Sequence, residues 1–359
     1  MKTRSNAGWN TRNRLFLAAS CAIAALTSPS LAHACATCGC TLSTDAAMGY
    51  SAVAGVRVSL QYDYIDQDQL RGGTGTVSPA QVVNDPTTGE LEHRTLSRYL
   101  TVGVNYSPDA QWNVGVLLPY LVRDHSSYTD TTSAPFDDSQ LDPSNLSSSR
   151  SSSVGDVRVI ASYQGFLPTH NLGVQLGVKF PTGRYGGPNA DGTGTVGRDP
   201  VVFSSGPSAG ELLDTSLQPG TGSTDLIVGA YYYQAVSQDF DAFVNGQFQA
   251  AVATKLDQPG ADFRPGNFGV VSVGLRYEAN PRFVPQLQLN VSRKSHDQGA
   301  LADTQDSAGT VAYISPGMTV SATPGTALYA FVQLPVYSRL DGYQLFPHWT
   351  ASVGISHAF

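Results

Sequence analysis

Hydrophobic and polar residues alternate along most of this chain with a period of two. Between Gly55 and Ile65, Val56, Val58, Leu60, Tyr62 and Tyr64 share one phase, and Arg57, Ser59, Gln61 and Asp63 share the other. Near the end of the chain, Trp349, Ala351, Val353, Ile355 and Phe359 stand against Thr350, Ser352, Gly354 and Ser356. Such alternation belongs to strands with one apolar and one polar face. Comparable runs at 98–106, 112–122, 154–166, 171–180, 224–236, 240–252, 268–278, 284–294, 310–321 and 327–337 join 55–65 and 347–359 to give twelve predicted strands. Most have the roughly 9–11 residues that a tilted strand needs to cross a bilayer.

The connections sort by length. Segments 107–111, 167–170, 237–239, 279–283 and 322–326 are brief, whereas 66–97, 123–153, 181–223, 253–267 and 295–309 are long. Short turns on one side and long loops on the other are expected of an outer-membrane barrel with both termini periplasmic. A soluble sandwich has no reason to sort its loops this way. On the outward phase Tyr106, Trp112, Tyr163, Tyr232, Phe240, Tyr277 and Phe359 fall near the inferred periplasmic strand ends, where a headgroup girdle of amphipathic rings is stable. The final amphipathic strand ending in Phe359 resembles the closing strand of bacterial outer-membrane barrels, which serves as their insertion signal and implies the barrel-assembly machinery as a partner. The pattern therefore predicts an all-β chain: a closed, antiparallel, up-and-down transmembrane barrel of about twelve strands, monomeric, in the outer membrane of a Gram-negative cell. Pro119, Pro181 and Pro335 follow apolar residues near the loop ends of upward strands, which suggests bulges there; Pro316 falls inside the tenth strand.

Four short motifs carry a family resemblance. L-P-Y at 118–120, V-G-D-V at 154–157, F-P-T-G at 180–183 and P-G-T-G-S-T-D at 219–225 resemble the outer-membrane family named after the MetA pathway of phenol degradation, often labelled simply "transporter". The resemblance covers roughly Tyr50 to Phe359. It implies a barrel and passage of small molecules, names no solute, and brings no catalytic residues. The cysteines at 35–40 are not part of that pattern.

Composition agrees with strands and turns: the chain has 36 Gly and 17 Tyr, with 14% charged residues. Residues 1–34 read as a secretory leader. Lys2, Arg4, Arg12 and Arg14 supply the basic start, 15–26 an apolar core too short to span a bilayer, and Ala32-His33-Ala34 a cleavage site. Asn13 separates Arg12 from Arg14, so a twin-arginine signal is not indicated. The leader takes four of the 21 Lys+Arg and none of the 28 Asp+Glu, leaving 17 against 28, a balance of −11. That excess of acid disfavours nucleic acid as a partner.

Cys35-Ala-Thr-Cys38-Gly-Cys40 opens the 35–54 segment, which is expected to be periplasmic and to precede the barrel at 55–359. Three thiols this close suit Cu(I); Zn(II) would need a fourth ligand. A disulfide leaving one thiol over, or acylation of Cys35, are the alternatives. Gly39 excludes a haem-attachment motif. Inside the predicted barrel Arg57, Asp63, Arg123, Asp156, Arg158, Lys179 and Arg276 share the inward phase with many Gln and Asn. Five basic groups against two acidic ones predict a wet lumen with slight anion preference; mutual pairing in a packed barrel is the alternative. Gly206-Pro-Ser208-Ala-Gly210 matches an esterase pattern but lies in a Gly/Ser/Pro loop rather than at a strand-to-helix elbow. Asn189, Asp191, Asp137, Asp138 and Asp142 read as solvated loop acids and amides, short of a calcium loop. His348 is expected inward near the top of the last strand and His357 outward near its base, both structural. The resulting expectation is a non-enzymatic channel for small polar or amphipathic solutes, with the thiols capturing a metal or docking a partner near the mouth. A membrane anchor for the Cys segment is the alternative, and a lipid or ester hydrolase is a third.

Overall fold

Strands with one apolar and one polar face need a partner on both edges, and a closed ring supplies both. The structure, a computed structural model, describes residues 54–83, 90–129 and 141–359. Its strands are β1 Gly55–Gly73, β2 Glu90–Ser107, β3 Trp112–Thr129, β4 Leu146–Val154, β5 Val157–Tyr163, β6 Leu172–Phe180, β7 Ser223–Ala235, β8 Phe240–Thr254, β9 Phe268–Tyr277, β10 Phe283–Lys294, β11 Gly309–Thr323 and β12 Thr326–Ala358. Consecutive ring strands pair antiparallel, and β12 pairs back onto β1 to close the sheet. Eleven strands form this ring. Both β4 and the two-residue ribbon Gly75–Thr76 lie off its path. No helix among the described residues is long and apolar enough to cross a membrane.

The eleventh ring strand supplies two walls. Residues 326–340 of β12 pair with β11, and 343–358 pair with β1. An all-antiparallel ring closes only with an even number of crossings, so β12 must reverse. It does so at Asp341-Gly342, where Gly342 has φ +60°, and the halves meet where Ala358 N–H donates to the Gly325 carbonyl at 2.8 Å. Twelve crossings result, the last two as one unbroken hairpin.

Several predicted boundaries need correction. The walls rise higher than the alternation reached: β1, β2, β3 and β4 extend into the segments predicted as loops 66–97 and 123–153. The strand predicted at 154–166 is broken at Gly155-Asp156, with β4 and β5 both pairing along β3. His348 is exposed, not inward, because the partner of β1 moves three residues while β1 moves two between Ile65 and Gln67, and this bulge turns His348 outward beside Trp349. Pro316 faces outward where the ladder to β12 steps from Ile314–Leu334 to Gly317–Phe331. At Pro335 the register slips by one residue, the bulge anticipated there.

The polarity is inside-out. On β1, Val58 and Leu60 are 38% and 41% exposed, while Ser59 and Gln61 are 4% exposed. The same contrast runs around the ring and fits a hydrocarbon exterior. Inward glycines admit large rings: a Cβ on Gly173, Gly274, Gly317 or Gly354 would lie 2.1–2.5 Å from an atom of Tyr231, Phe243, Phe331 or Tyr329 respectively. Each ring covers its neighbour's bare backbone, which offsets the weak packing of strand glycine. Outward aromatics cluster at both ends. Trp112–Tyr163, Tyr163–Phe166 and Phe240–Tyr277 centroids lie 4.8, 4.9 and 5.0 Å apart at the short-turn end. Tyr64 stacks on Trp349 at 5.5 Å toward the loop end.

Candidate channel interior

Lys179, near the end of β6, points inward and is 3% exposed. Its Nζ lies 2.9 Å from Asp225 Oδ2 and 3.2 Å from Asp156 Oδ2, and it donates to the hydroxyls of Thr221 and Ser223. Asp156 also accepts from the N–H groups of Gly183 (3.0 Å) and Thr221 (3.1 Å). Asp225 accepts from the Ser223 hydroxyl and the Gln249 amide. Two carboxylates, one ammonium and these donors form a satisfied buried network, the condition under which burying charge is tolerated.

Backbone contacts tie the same point together. Gly155 N–H donates to the Pro119 carbonyl at 2.8 Å. Thr182 Oγ1 donates to the Gly155 carbonyl and accepts from Val157 N–H, both at 2.8 Å. A Cβ on Gly183 would sit 2.8 Å from Gly220 Cα, so these two chains approach as only glycines allow. All four motifs quoted from the sequence thus converge here. The break at Gly155-Asp156 frees the wall that the segment 181–222 then uses to enter and leave.

The long loop after β6 folds inward. Its Val201, Phe203, Leu213 and Leu217 form a buried apolar cluster. Arg123, an inward residue of β3, donates to the Leu217 carbonyl, to Ser97 Oγ at 3.0 Å and to Tyr99 Oη at 3.1 Å. Inward His125 packs against Phe203 with ring centroids 6.0 Å apart. Ser204 and Ser205 bridge to Ser148 on the edge of β4 that faces away from β3. Gln218 staples the loop, accepting from Val201 N–H at 2.7 Å and donating to the Leu213 carbonyl at 2.8 Å. A second cluster, Val196, Leu256, Ala261 and Phe263, joins this loop to the next, with Leu301 and Ala302 of a third against it. In the loop-side half these apolar clusters sit among buried polar groups such as Ser97, Arg123, His125 and Ser151. Within it, burial pushes the Asp214 carboxyl up to about 7, reinforced by the neighbouring acids Asp303 and Glu90.

Toward the short turns the interior is polar. Asp63 accepts from Gln61 at 2.8 Å and from the Ser352 hydroxyl, and Tyr329 Oη donates to Gln61 Oε1 at 2.6 Å. Gln286 donates to Thr319 Oγ1 and Asn290 to Ser315 Oγ, at 2.9 and 2.8 Å. Gln288 is 1% exposed, yet neither its nitrogen nor its oxygen has a partner among the described residues; farther toward the loops Thr350, Ser127 and Ser151 hold hydroxyls equally unpartnered among them.

Six of the seven residues predicted to line a pore, Asp63, Arg123, Asp156, Arg158, Lys179 and Arg276, have inward register partners or inward contacts, and Arg57 lines a cavity at the short-turn end. Two of the five predicted basic groups, Lys179 and Arg276, are paired with acids, while Arg123 is held by a carbonyl and hydroxyls. Lys179 is shared by two carboxylates, Arg158 stands on the Lys179–Asp225 rung, and Arg276 Nε lies 2.9 Å from Glu278. Sequence reasoning missed Asp225 as an interior acid, although it ends one of the quoted motifs. Ser208 is buried in the inward loop with its N–H on Ser147 Oγ, so the esterase pattern is loop packing. Asp191 caps Thr193, Asn189 accepts from Gly194 N–H, and Asp142 caps a short 3-10 turn. His357 binds Thr326 Oγ1 at 2.8 Å. Cys35, Cys38, Cys40, Asp137 and Asp138 lie outside the described residues.

No protein-family model matches the chain, and no curated protein matches it by sequence. Among solved structures, an outer membrane channel from Pseudomonas putida F1 is 13% identical and superposes with a TM-score of 0.57, over 86% of this chain and 96% of that one. The translocator domain of the autotransporter NalP from Neisseria meningitidis is 11% identical at a TM-score of 0.47, over 87% and 90%. The CymD monoaromatic hydrocarbon channel is 12% identical at 0.44, over 93% and 99%. The chain has the fold of an outer-membrane β-barrel.

Proposed function

We propose that this protein is a monomeric outer-membrane channel for small amphipathic solutes, with its long loops outside the cell and its termini in the periplasm. The observation that carries this reading is the interior itself. A barrel serving only as an anchor has no use for buried amides and hydroxyls, such as Gln288, that no described residue satisfies. Such groups require water or a polar solute, and so a wet path. Above that path lie the apolar clusters of the inward loops, so a solute with both an apolar body and a polar group has a partner at each stage. The family resemblance of the four motifs supports the same class. Purified protein in planar bilayers is expected to give small, discrete conductance steps, small because the loops fill the upper half. A flat current at high protein load would contradict the proposal and leave an anchoring role.

A further inference from the structure

At the short-turn end, between the walls β1 to β3 and β5 to β7, the interior holds a cavity of about 70 Å³ lined by Arg57, Asn105, Asn113, Gln175 and Tyr231, with Phe359 at its edge. Arg57 and Asn105 are register partners, so they stand side by side on one rung. The other polar groups are already engaged: Asn113 donates to Ser107 Oγ at 3.0 Å, and Tyr231 Oη to Gln164 Oε1 at 2.8 Å. Beyond the backbone ladder, the side chains of Arg57 and Asn105 make no hydrogen bond or ion pair with any described residue. The backbone of Phe359 is turned toward Gly55, and no ion pair joins it to Arg57.

We infer that this cavity is a carboxylate-binding subsite in which Arg57 and Asn105 hold the anionic head of a small organic acid. A guanidinium presents two parallel N–H donors that match a carboxylate, and the Asn105 amide adds a third from the adjacent strand. The Gln175 and Asn113 amides keep the surroundings polar, and no Asp or Glu lines the cavity; the main-chain carboxylate of Phe359 lies at its edge beside Gly55, so a bound acid has to compete with it for Arg57. The volume is under half of the roughly 150 Å³ that encloses benzene. It therefore takes the head and first carbons of a solute, and the remainder stays in the open mouth. The inference rests on the channel reading for its meaning, a last polar station before release, but direct binding tests it independently of conductance.

The probe is propionate, with propionamide as its uncharged counterpart, added to the full mature chain in deuterated detergent. Saturation-transfer NMR is expected to show saturable propionate binding, at least tenfold weaker binding of propionamide, and about a tenfold loss with Arg57→Gln. Arg57→Lys keeps the charge and should fall between. Asn105→Ala, at a half-buried wall position, provides a second variant should Arg57→Gln fail to fold. No saturable binding, equal binding of acid and amide, or unchanged binding in folded variants overturns the inference. Binding of propionate by a protein without conductance would uphold the site while removing the channel.

Discussion

Replacing Lys179 with methionine is expected to cost the barrel about 3–5 kcal/mol of stability. The substitution keeps the stem and removes the ammonium, leaving Asp156 and Asp225 facing each other inside the ring. Both carboxylates are at most 8% exposed, so neither finds bulk water instead. The loss falls where the four motifs meet, so the wall break at Gly155 and the root of the inward loop should loosen together. Urea unfolding in lipid vesicles, read from heat-modifiable gel mobility, measures it. The charge argument is isolated by the triple variant Asp156→Asn, Lys179→Met, Asp225→Asn, which should recover most of the loss. A wild-type midpoint for Lys179→Met would show that the triad does not hold the wall.

Replacing residues 200–216 with a short Gly/Ser linker is expected to raise single-channel conductance several-fold. The exchange removes Val201, Phe203 and Leu213 from the interior, while Leu217, whose carbonyl accepts from Arg123, and the Asp156 network below it are kept. The same loop should respond to pH. With its folded-state value raised to about 7, Asp214 binds its proton more tightly in the docked loop than in an undocked one. Docking is therefore favoured most below about pH 4 and weakens as pH rises toward 7, after which it no longer changes. Conductance should climb across that window, and Asp214→Asn should flatten the climb. An unchanged conductance in the linker variant would mean that the loop does not obstruct the path.

Alternation exposed the ring because a barrel wall repeats one physical rule at every residue: apolar toward lipid, polar toward the interior. Loop sorting and outward aromatics such as Trp112 and Tyr277 followed from the same rule. Alternation could not place His348, because a single extra residue opposite Ile65–Gln67 reverses every side chain beyond it. Nor could it place the inward loop. Phe203, Leu213 and Leu217 stand singly among Gly, Ser and Pro, with no period, and only tertiary packing gathers them. The charges were assigned to the correct face but not to their partners. Asp225 begins a strand after a long loop, and nothing in its spacing from Lys179 or Asp156 states that all three meet.

The two outward tryptophans test the central claim, a closed polar-lined cylinder surrounded by hydrocarbon. After residue 34 the chain has two, Trp112 and Trp349. They are 48% and 45% exposed and sit in the girdles at opposite ends of the wall. Single-tryptophan variants, Trp112→Phe and Trp349→Phe, should be made and reconstituted into vesicles of brominated phospholipid. Both remaining indoles should be quenched strongly by bromines near the acyl-chain carbonyls and weakly by bromines near the bilayer centre. Indoles untouched by either lipid, in a protein that stays dissolved without detergent, would contradict the barrel's place in a membrane and everything built on it.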